Sequence, residues 1–530
     1  MNSKNIGLAL MLFKTYNIFL RYSTTIFIVA LLTLTVFIFS CSNEKNILTD
    51  EEACSVFLLD KENELEKFLI NLGDAYWRYY VLEGAPDLKE NKTKIANFFY
   101  DKNLLIIIEH WKKKEVQIKD TLLKRRIEIW DRLRINAAIN FDKDVLSLQG
   151  IIEQGLEQEM KESDTARQDM LEKKAIDLLK IRNKKAKKMG FSDYAVASVW
   201  LAGYDTLWYY KSVEMIDSMT LEKYKVLIEE ERKILKVDKF HLSDVYLIYE
   251  KYANELEYPG LSKEKSMTVI KNTLRDMGIA FRLLPIKKFV ETELMPPSTG
   301  QGIAVKIPDD FRIAVISEMT ITAKFHEIGH GIDWMSRKAK TPILKGYEWM
   351  KGGYAPGFAE GAAEIFASIT IKKEWLQRYL KYPEEIYSKK QEKLKKYFPA
   401  YMRYYLFQFM LENEMYKDPD QDMTAMMNRV LEKYLLTERP VKNGFPVANG
   451  MFISQPIYQH HWLFGEMMAW QIHEHLKKQF GEKYLQNKNT SSFLIETLYK
   501  DGEYYPWQKR LERATGKVLD VHTFLKEHME

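Results

Sequence analysis

His326-Glu327-Ile328-Gly329-His330 is the stretch of this 530-residue chain from which its fold and chemistry can be predicted. Residues four apart on an α-helix lie on the same face, so the two imidazoles can bind one metal ion. Glu327 lies beside them, where a carboxylate can act as a general base. The residues around the motif are mostly apolar or small, which indicates a buried helix in which unpartnered histidines are costly. The pattern therefore predicts a zinc-binding helix, and the alternative is an exposed helix with two surface histidines.

A third metal ligand is predicted on a second helix, because a catalytic zinc normally takes three protein ligands and leaves one position open. Pro356 and Gly357 mark a turn, and the apolar helix after them carries Glu360 and Glu364 four positions apart. Two like charges on an apolar face are unfavourable unless a cation compensates them. We therefore predict that Glu360 binds one Zn²⁺ per chain and that Glu364 accepts an N–H from a ligand histidine. The alternative is a solvated acidic face.

The order of these motifs resembles the angiotensin-converting-enzyme family of gluzincin zinc peptidases. Asp309 to Ile313 precedes the histidine motif, and Pro356 to Glu364 follows it at a similar spacing. The family usually has aspartate at the position of Glu364. The resemblance covers roughly residues 60 to 530 and is strong from about 300 to 370. It implies the following roles: zinc ligands His326, His330 and Glu360, general base Glu327, and histidine-bracing acid Glu364.

A β-hairpin is predicted just before the histidine motif. Apolar residues alternate over 303–307 and again over 313–315, with a turn at Pro308 to Asp310 between them. The resemblance implies that a strand edge here lies beside the zinc and pairs with the substrate backbone. The predicted substrate-binding residues are Gly300, Gly302, Ile303 and Ala304. The alternative is an ordinary structural hairpin.

The sequence offers several candidates, and not a single residue, for the side chain that donates a hydrogen bond to the oxyanion. Family members that remove carboxy-terminal dipeptides clamp the substrate carboxylate with a lysine and a tyrosine, and stabilise the oxyanion with a histidine and a tyrosine. The matching stretch here, Gly450 to Trp462, lacks that lysine and has no histidine before Pro456, so the dipeptide clamp is not evident. A donor is still required where negative charge develops. The candidates are Tyr458, His460 and His461, each with the alternative of a hydrogen-bonded core residue.

Composition and periodicity predict a mainly α-helical chain. Hydrophobic residues make up 46% and aromatic residues 13%, and apolar side chains recur at three- and four-residue steps. No repeat or low-complexity run divides the chain. We expect a signal peptide over 1–40, a tether over 41–60 and a single catalytic domain over 61–530. The domain is expected to be a large two-lobed helical peptidase fold around a deep zinc cleft, with a small hairpin or sheet beside the zinc helix.

The leader predicts export. The apolar run Thr24 to Phe39 has signal-peptide length and ends at Ile38-Phe39-Ser40-Cys41, which resembles a bacterial lipoprotein cleavage site. Cys41 would then be lipidated and anchor the protein in a membrane of the bacterial cell envelope. An uncleaved anchor is the alternative, although a run of about sixteen residues is short for a membrane span. Cys54 would be the one thiol of the mature body, which excludes an intramolecular disulfide.

The net charge of the chain gives no indication of a nucleic-acid partner. The chain has 79 basic and 74 acidic residues and a formal charge of +5, which does not imply nucleic-acid binding.

The first functional hypothesis is a membrane-anchored zinc peptidase, of peptidyl-dipeptidase or oligopeptidase type, acting on short or unfolded peptides. The second is a catalytically impaired peptide-binding lipoprotein of the same fold, favoured by the absent histidine before Pro456. The third is a structural helical envelope protein. The oligomeric state is left open.

Overall fold

The structure of the chain is a computed structural model that describes residues 46–81, 83–159, 164–256, 261–292, 300–317, 319–441 and 447–530. The predicted signal peptide and the lipidation site at Cys41 lie outside the described residues. Within the described ranges, none of the helices combines the length and apolar character needed to cross a membrane.

A series of helices fills the amino-terminal half of the chain. Aspartates begin many of these helices, since a carboxylate that accepts an unpaired backbone N–H stabilises a helix start, as Asp205 does for Trp208 at 2.7 Å. The helices are α1 (Glu51–Tyr80), α2 (Leu88–Phe98), α3 (Lys102–Lys113), α4 (Thr121–Asn140), α5 (Lys143–Glu159), α6 (Thr165–Lys188), α7 (Tyr194–Leu201), α8 (Thr206–Leu235), α9 (Leu242–Leu256) and α10 (Lys263–Asp276).

A three-stranded sheet follows these helices. Its strands are β1 (Ile286–Thr292), β2 (Gly300–Lys306) and β3 (Asp310–Ile316), in the spatial order β1-β3-β2. Strands β2 and β3 form the predicted antiparallel hairpin, with Gly302 opposite Ile313. Strand β1 pairs with β3 in parallel and was not predicted, because its apolar residues do not alternate cleanly with polar ones. Strand β2 is therefore an edge strand of the described sheet.

Helices again make up the remainder of the described chain. They are α11 (Ile321–Ser336), α12 (Pro356–Ala367), α13 (Lys373–Leu380), α14 (Glu384–Lys417), α15 (Met423–Leu435), α16 (Gly450–Ser454), α17 (Gln459–Phe480), α18 (Asn489–Phe493), α19 (Trp507–Thr515) and α20 (Val521–Met529). The prediction of a mainly α-helical fold with a small sheet beside the motif helix is confirmed.

The segment predicted as a tether, residues 41–60, overlaps the helix α1 from residue 51 onward. Helix α1 begins at Glu51, where Asp50 accepts the backbone N–H of Glu52 at 3.2 Å. Cys54 and Leu58 are fully buried in the main hydrophobic core. The segment 51–60 therefore belongs to the folded body, because its apolar residues recur at helical spacing and find a partner surface. Residues 41–45 lie outside the described ranges.

Helix α1 also covers the sheet. Trp77 and Tyr80 on α1 pack with Ile303, Val305 and Ala314 in a small cluster of their own. Helices α11 and α12 pack against each other, and α12 also packs against α17. The motif helix thus lies between the sheet and α12, and α17 packs on α12; the site described next is built where these elements meet.

Candidate active site

Helix α11 carries the histidine motif and is held close to α12 by a glycine. Thr320 begins the helix by accepting the backbone N–H of Ala323 at 3.3 Å. A Cβ atom at Gly329 would lie 2.8 Å from the Cα of Ala363 on α12. Only glycine permits this approach, so the central glycine of the motif sets the distance between the two ligand-bearing helices.

Helix α12 is fixed against α17 in the same way. A Cβ atom at Gly465 of α17 would lie 2.9 Å from the Cβ of Glu360. Pro356 occupies the first turn of α12, where its missing N–H is not needed. These two close helix contacts place Glu360 in the interior, with 5% of its surface exposed.

Three side-chain atoms converge between α11 and α12. The Nε2 atoms of His326 and His330 lie 3.1 Å apart. The Glu360 Oε2 atom lies 3.4 Å from Nε2 of His326 and 3.8 Å from Nε2 of His330. Ligands around a tetrahedral zinc with bonds of 2.0–2.1 Å are separated by about 3.4 Å. The three atoms therefore have the spacing of three ligands around one ion.

The donor set fits a divalent metal. The Glu360 Oε2 atom is buried and accepts no hydrogen bond in the described structure. The two Nε2 atoms point at each other, and two neutral imidazoles can share only one proton between them. Two imidazoles and a carboxylate match the ligands that zinc prefers in catalytic sites. A buried, unpaired carboxylate oxygen opposite two ring nitrogens is best explained by a cation at their centre.

Glu364 reaches the histidine that it was predicted to orient. Its Oε1 atom lies 2.9 Å from Nδ1 of His326. This contact fixes the imidazole so that Nε2 faces Glu360. The glutamate, longer than the aspartate usual in the resembled family, therefore spans the distance from the next turn of α12.

Glu327 lies against the edge of the sheet. Burial raises the pKa of its carboxyl to about 7; the nearby His326 opposes this shift, and the charge of Glu360 adds to it. The carboxyl also faces the backbone amide of Gly302 on β2. A Cβ atom at Gly300 or Gly302 would come within 3.1 Å or 3.2 Å of the Glu327 carboxyl oxygens. The two glycines therefore make room for this side chain, and a carboxyl with such a pKa suits proton transfer near neutral pH.

Of the three oxyanion candidates, the structure brings one to the cluster. Tyr458 precedes α17, and its hydroxyl donates to Glu360 Oε1 at 2.5 Å. His461 is buried and lies 3.0 Å from the hydroxyl of Tyr204 through its Nδ1 atom, with its ring stacked on that tyrosine. His460 packs among aromatic rings that include Tyr209, and its Nε2 atom accepts or donates no hydrogen bond in the described structure.

Burial keeps both of these histidines neutral. It lowers the pKa of His460 to about 3, and it moves the pKa of His461 in the same direction. Lys351 adds to both shifts. These two side chains therefore have the environment of core residues.

Two further residues near the cluster were not predicted. The Tyr354 hydroxyl interacts with that of Tyr458, so a tyrosine pair extends from Glu360. Glu348 lies in the loop before α12, and burial together with the charges of Glu327 and Glu360 raises the pKa of its carboxyl. No spacing signal marks Glu348 in the sequence, because its neighbours in space are distant in the chain.

Comparisons with solved structures identify the fold. The chain is similar to Pyrococcus furiosus carboxypeptidase, with 18% identity, a TM-score of 0.63 and coverage of 89% of this chain and 97% of that one. It is similar to the M32 carboxypeptidase from Deinococcus radiodurans, with 15% identity, a TM-score of 0.61 and coverage of 89% and 97%. It is also similar to Trypanosoma cruzi metallocarboxypeptidase 1, with 14% identity, a TM-score of 0.62 and coverage of 89% of this chain and 100% of that one. The chain therefore has the helical fold of these carboxypeptidases.

No protein-family model matches the sequence, and no curated protein matches it. Structural likeness at such low identity establishes the fold alone. Membership of the angiotensin-converting-enzyme family stays a prediction.

Proposed function

We propose that the protein is a zinc-dependent peptidase that hydrolyses short or unfolded peptides. One observation carries this proposal, namely the convergence of the His326, His330 and Glu360 ligand atoms within 4.8 Å of one another, with Glu327 on the same helix. The fold supports it, since the similar solved structures are named carboxypeptidases and one a metallocarboxypeptidase. His326, His330 and Glu360 would hold one zinc ion per chain.

The chemistry follows from the side chains around the ligand atoms. A zinc ion bound there supplies Lewis acidity that polarises a peptide carbonyl and acidifies water. Glu327 would accept the proton of the attacking water and pass it to the leaving amine, since its carboxyl lies on the same helix as the two histidines. Glu364 holds His326 in one orientation throughout.

Tyr458 is the proposed oxyanion donor. Its hydroxyl already lies at Glu360, and its ring is supported by His461 at a centroid distance of 4.8 Å. A phenol hydroxyl that turns from Glu360 toward the substrate oxygen donates where negative charge develops. His461 and His460, named as alternatives from the sequence, would then contribute through packing.

The substrate backbone is proposed to add to the edge of β2 that does not pair with β3. The edge position of this strand and the placement of Gly300 and Gly302 beside Glu327 support this mode. Ile303 and Ala304 would continue the pairing along the strand. The proposed ligand side chains of His326, His330 and Glu360 are only 18%, 10% and 6% exposed. Such an enclosed site favours slender, unfolded substrates.

We also propose that the protein is exported and membrane-anchored through a lipidated Cys41. The support is the leader sequence described above, which lies outside the described structure. Growth of the producing cells with a radioactive fatty acid tests this. Label in the protein is expected, whereas unlabelled protein released into the medium contradicts the anchor.

A catalytically impaired peptide-binding lipoprotein of the same fold is the second candidate. The positions of His460 and His461 inside the aromatic core favour it, because Tyr458 is then the one remaining oxyanion donor among the residues predicted for that role. Hydrolysis separates this candidate from the first, since both should bind zinc and peptides.

The test combines metal analysis with peptide turnover. The purified protein is expected to contain one zinc per chain and to cleave members of a quenched fluorescent peptide library, with loss of cleavage on chelation and recovery with zinc. Zinc without any cleavage would select the peptide-binding candidate. Protein that takes up no zinc would contradict both, and Glu327→Gln serves as the metal-replete inactive control.

A further inference from the structure

Glu348 is a carboxylate that the proposed chemistry does not use. Its Oε1 atom is buried and accepts no hydrogen bond from the described residues. Arg337, whose charge acts on Glu348, is already bound to Asp333 at 2.6 Å. A buried carboxylate oxygen without a partner is unfavourable, so it is expected to meet a cation or a donor that arrives with a ligand.

The position of Glu348 relative to Glu327 is set by strand β2. The backbone amide of Gly302 faces the Glu327 carboxyl, and the amide of Ala304 faces the Glu348 carboxyl. Alternate residues of a strand direct their amides to the same edge, and two residues of a strand advance by about 7 Å. Glu348 therefore lies roughly two extended residues along the strand from the base.

We propose that Glu348 binds an ammonium group of the substrate, about two residues from the scissile bond. This inference deepens the proposed peptidase function and depends on it. A peptide paired with β2 and cleaved beside Glu327 places its α-amino group, or a lysine side chain, next to Glu348. Burial and the charges of Glu327 and Glu360 raise the pKa of the Glu348 carboxyl, and an ammonium group bound beside it would oppose that shift by favouring the ionised form.

The metal does not take the place of this cation. The atoms that converge as a candidate metal site belong to His326, His330 and Glu360, and Glu348 is not among them. Its carboxyl is instead fixed between the edge of β2 and the loop before α12. Such a fixed acid selects for substrates that carry a positive charge at one position.

The test measures kcat/KM for one peptide sequence in three forms: free at the amino terminus, acetylated there, and acetylated with lysine at each of the first three positions. The wild-type protein is expected to prefer the form with an ammonium group near the cleaved bond by about tenfold or more. A preference for the free amine identifies the α-amino group as the ligand, and a preference for a capped lysine peptide identifies the side chain. Equal rates for all forms would overturn the proposal.

The variant Glu348→Gln is expected to bring this preference to about onefold, while the acetylated peptide without an added lysine keeps its rate. Glu348→Asp should retain part of the preference and guards against a variant that fails to fold, which thermal melting also checks. Glu466→Gln is the matched control, because burial raises the pKa of the Glu466 carboxyl to about 8, and this carboxyl accepts a hydrogen bond from the Tyr401 hydroxyl at 2.9 Å. An unchanged preference in both glutamine and aspartate variants would contradict the assignment.

Binding distinguishes failure of this inference from failure of the proposed function. Calorimetry with the zinc-loaded Glu327→Gln protein measures affinity for free and capped peptides without turnover. If the protein hydrolyses nothing but still binds the ammonium form more tightly, and Glu348→Gln removes the difference, the peptidase proposal fails and the role of Glu348 stands. If peptides are cleaved but the free and capped forms bind equally well, the peptidase proposal stands and the role of Glu348 fails.

Discussion

The two histidine pairs of this protein lie in different environments although each pair comes from a helix in contact with α12. His326 and His330 on α11 face two glutamates, and His326 is held by Glu364 at 2.9 Å. His460 and His461 on α17 pack against aromatic rings, and burial holds the pKa of each below its ordinary value. The first pair therefore lies beside the two carboxylates of α12 and the second pair among aromatic rings, so the surroundings of the first pair are those of a candidate metal site.

The hydrogen bonds of the two pairs point to different roles. On the α11 side, the Nε2 atoms of the two histidines lie 3.1 Å apart, and the Glu360 Oε2 atom is left unpaired beside them in the described structure. On the α17 side, His461 contacts the Tyr204 hydroxyl and supports the ring of Tyr458. The candidate catalytic groups therefore lie on α11 and α12. The residue before α17 adds one hydroxyl, that of Tyr458, whose ring packs against His461.

The substitution Glu327→Gln tests the α11 side with the largest expected effect. Loss of the base should lower kcat by roughly 10²–10⁴-fold. Zinc content should stay at the wild-type value, because Glu327 is not one of the converging ligand residues. Peptide turnover and metal analysis of the same preparation give both numbers. A variant with wild-type kcat would exclude Glu327 as the base.

The substitution Tyr458→Phe tests the one group that the α17 side contributes. Removing an oxyanion donor should lower kcat by roughly 10²–10³-fold with little change in KM. The matched change Tyr204→Phe removes a buried hydroxyl that contacts His461 instead of Glu360, and should have a much smaller effect. If both variants lose the same activity, Tyr458 has no special part in the reaction.

The substitution Glu364→Gln sharpens the account of how His326 is oriented. A neutral amide can still contact the ring but no longer favours the N–H on Nδ1 as strongly, so zinc affinity should fall about 10–100-fold. Competition with a calibrated chelator measures this. Unchanged affinity would show that the contact at 2.9 Å does not orient a metal ligand.

The substitution His460→Phe tests whether the second pair is structural. Because His460 lies among aromatic rings and its Nε2 atom is unpaired, phenylalanine should fit and leave kcat/KM within about threefold of wild type. A loss of a hundredfold or more would instead place this imidazole in the reaction and break the comparison between the two pairs.

The same variant also gives a pH signature, which is measured in stability and not in activity. The pKa of His460 is about 3 in the folded protein, below its ordinary value, so the unfolded chain binds the proton first as the pH falls. Its contribution to stability is therefore present above pH 6.5 and is lost as the pH falls toward 3. Relative to His460→Phe, wild-type protein should lose about 3 kcal/mol of unfolding free energy between pH 6.5 and pH 4. Parallel stability curves would show a solvated imidazole.

Much of the candidate site could be predicted from patterns of residues that are close together in the sequence. The histidine motif, the turn at Pro356 and the two glutamates one turn apart are patterns of neighbouring residues, and helix geometry fixes their relative placement. The hairpin was predicted for the same reason, since alternation over 303–307 and 313–315 requires no distant partner. These predictions needed no information about which elements contact each other.

The remaining features depend on contacts between distant parts of the chain. Strand β1 joins the sheet by pairing in parallel with β3, and helix α1 begins at Glu51 because Cys54 and Leu58 find the core. The positions of His460 and Glu348 likewise depend on which helix or strand packs beside them. Contacts of this kind produce no periodic pattern in the sequence around the residue, so they could not be predicted from it.

The sequence by itself determined the helical class, the two ligand-bearing helices and the identity of the candidate base, because hydrogen bonding and apolar spacing along one helix act over a few residues. Only the tertiary structure decided that Gly329 brings α11 against α12, that Tyr458 and not the following histidines meets Glu360, and that Glu348 faces the edge of β2. Close packing causes this difference, since the environment of a buried group is set by whichever distant surface fills the space around it.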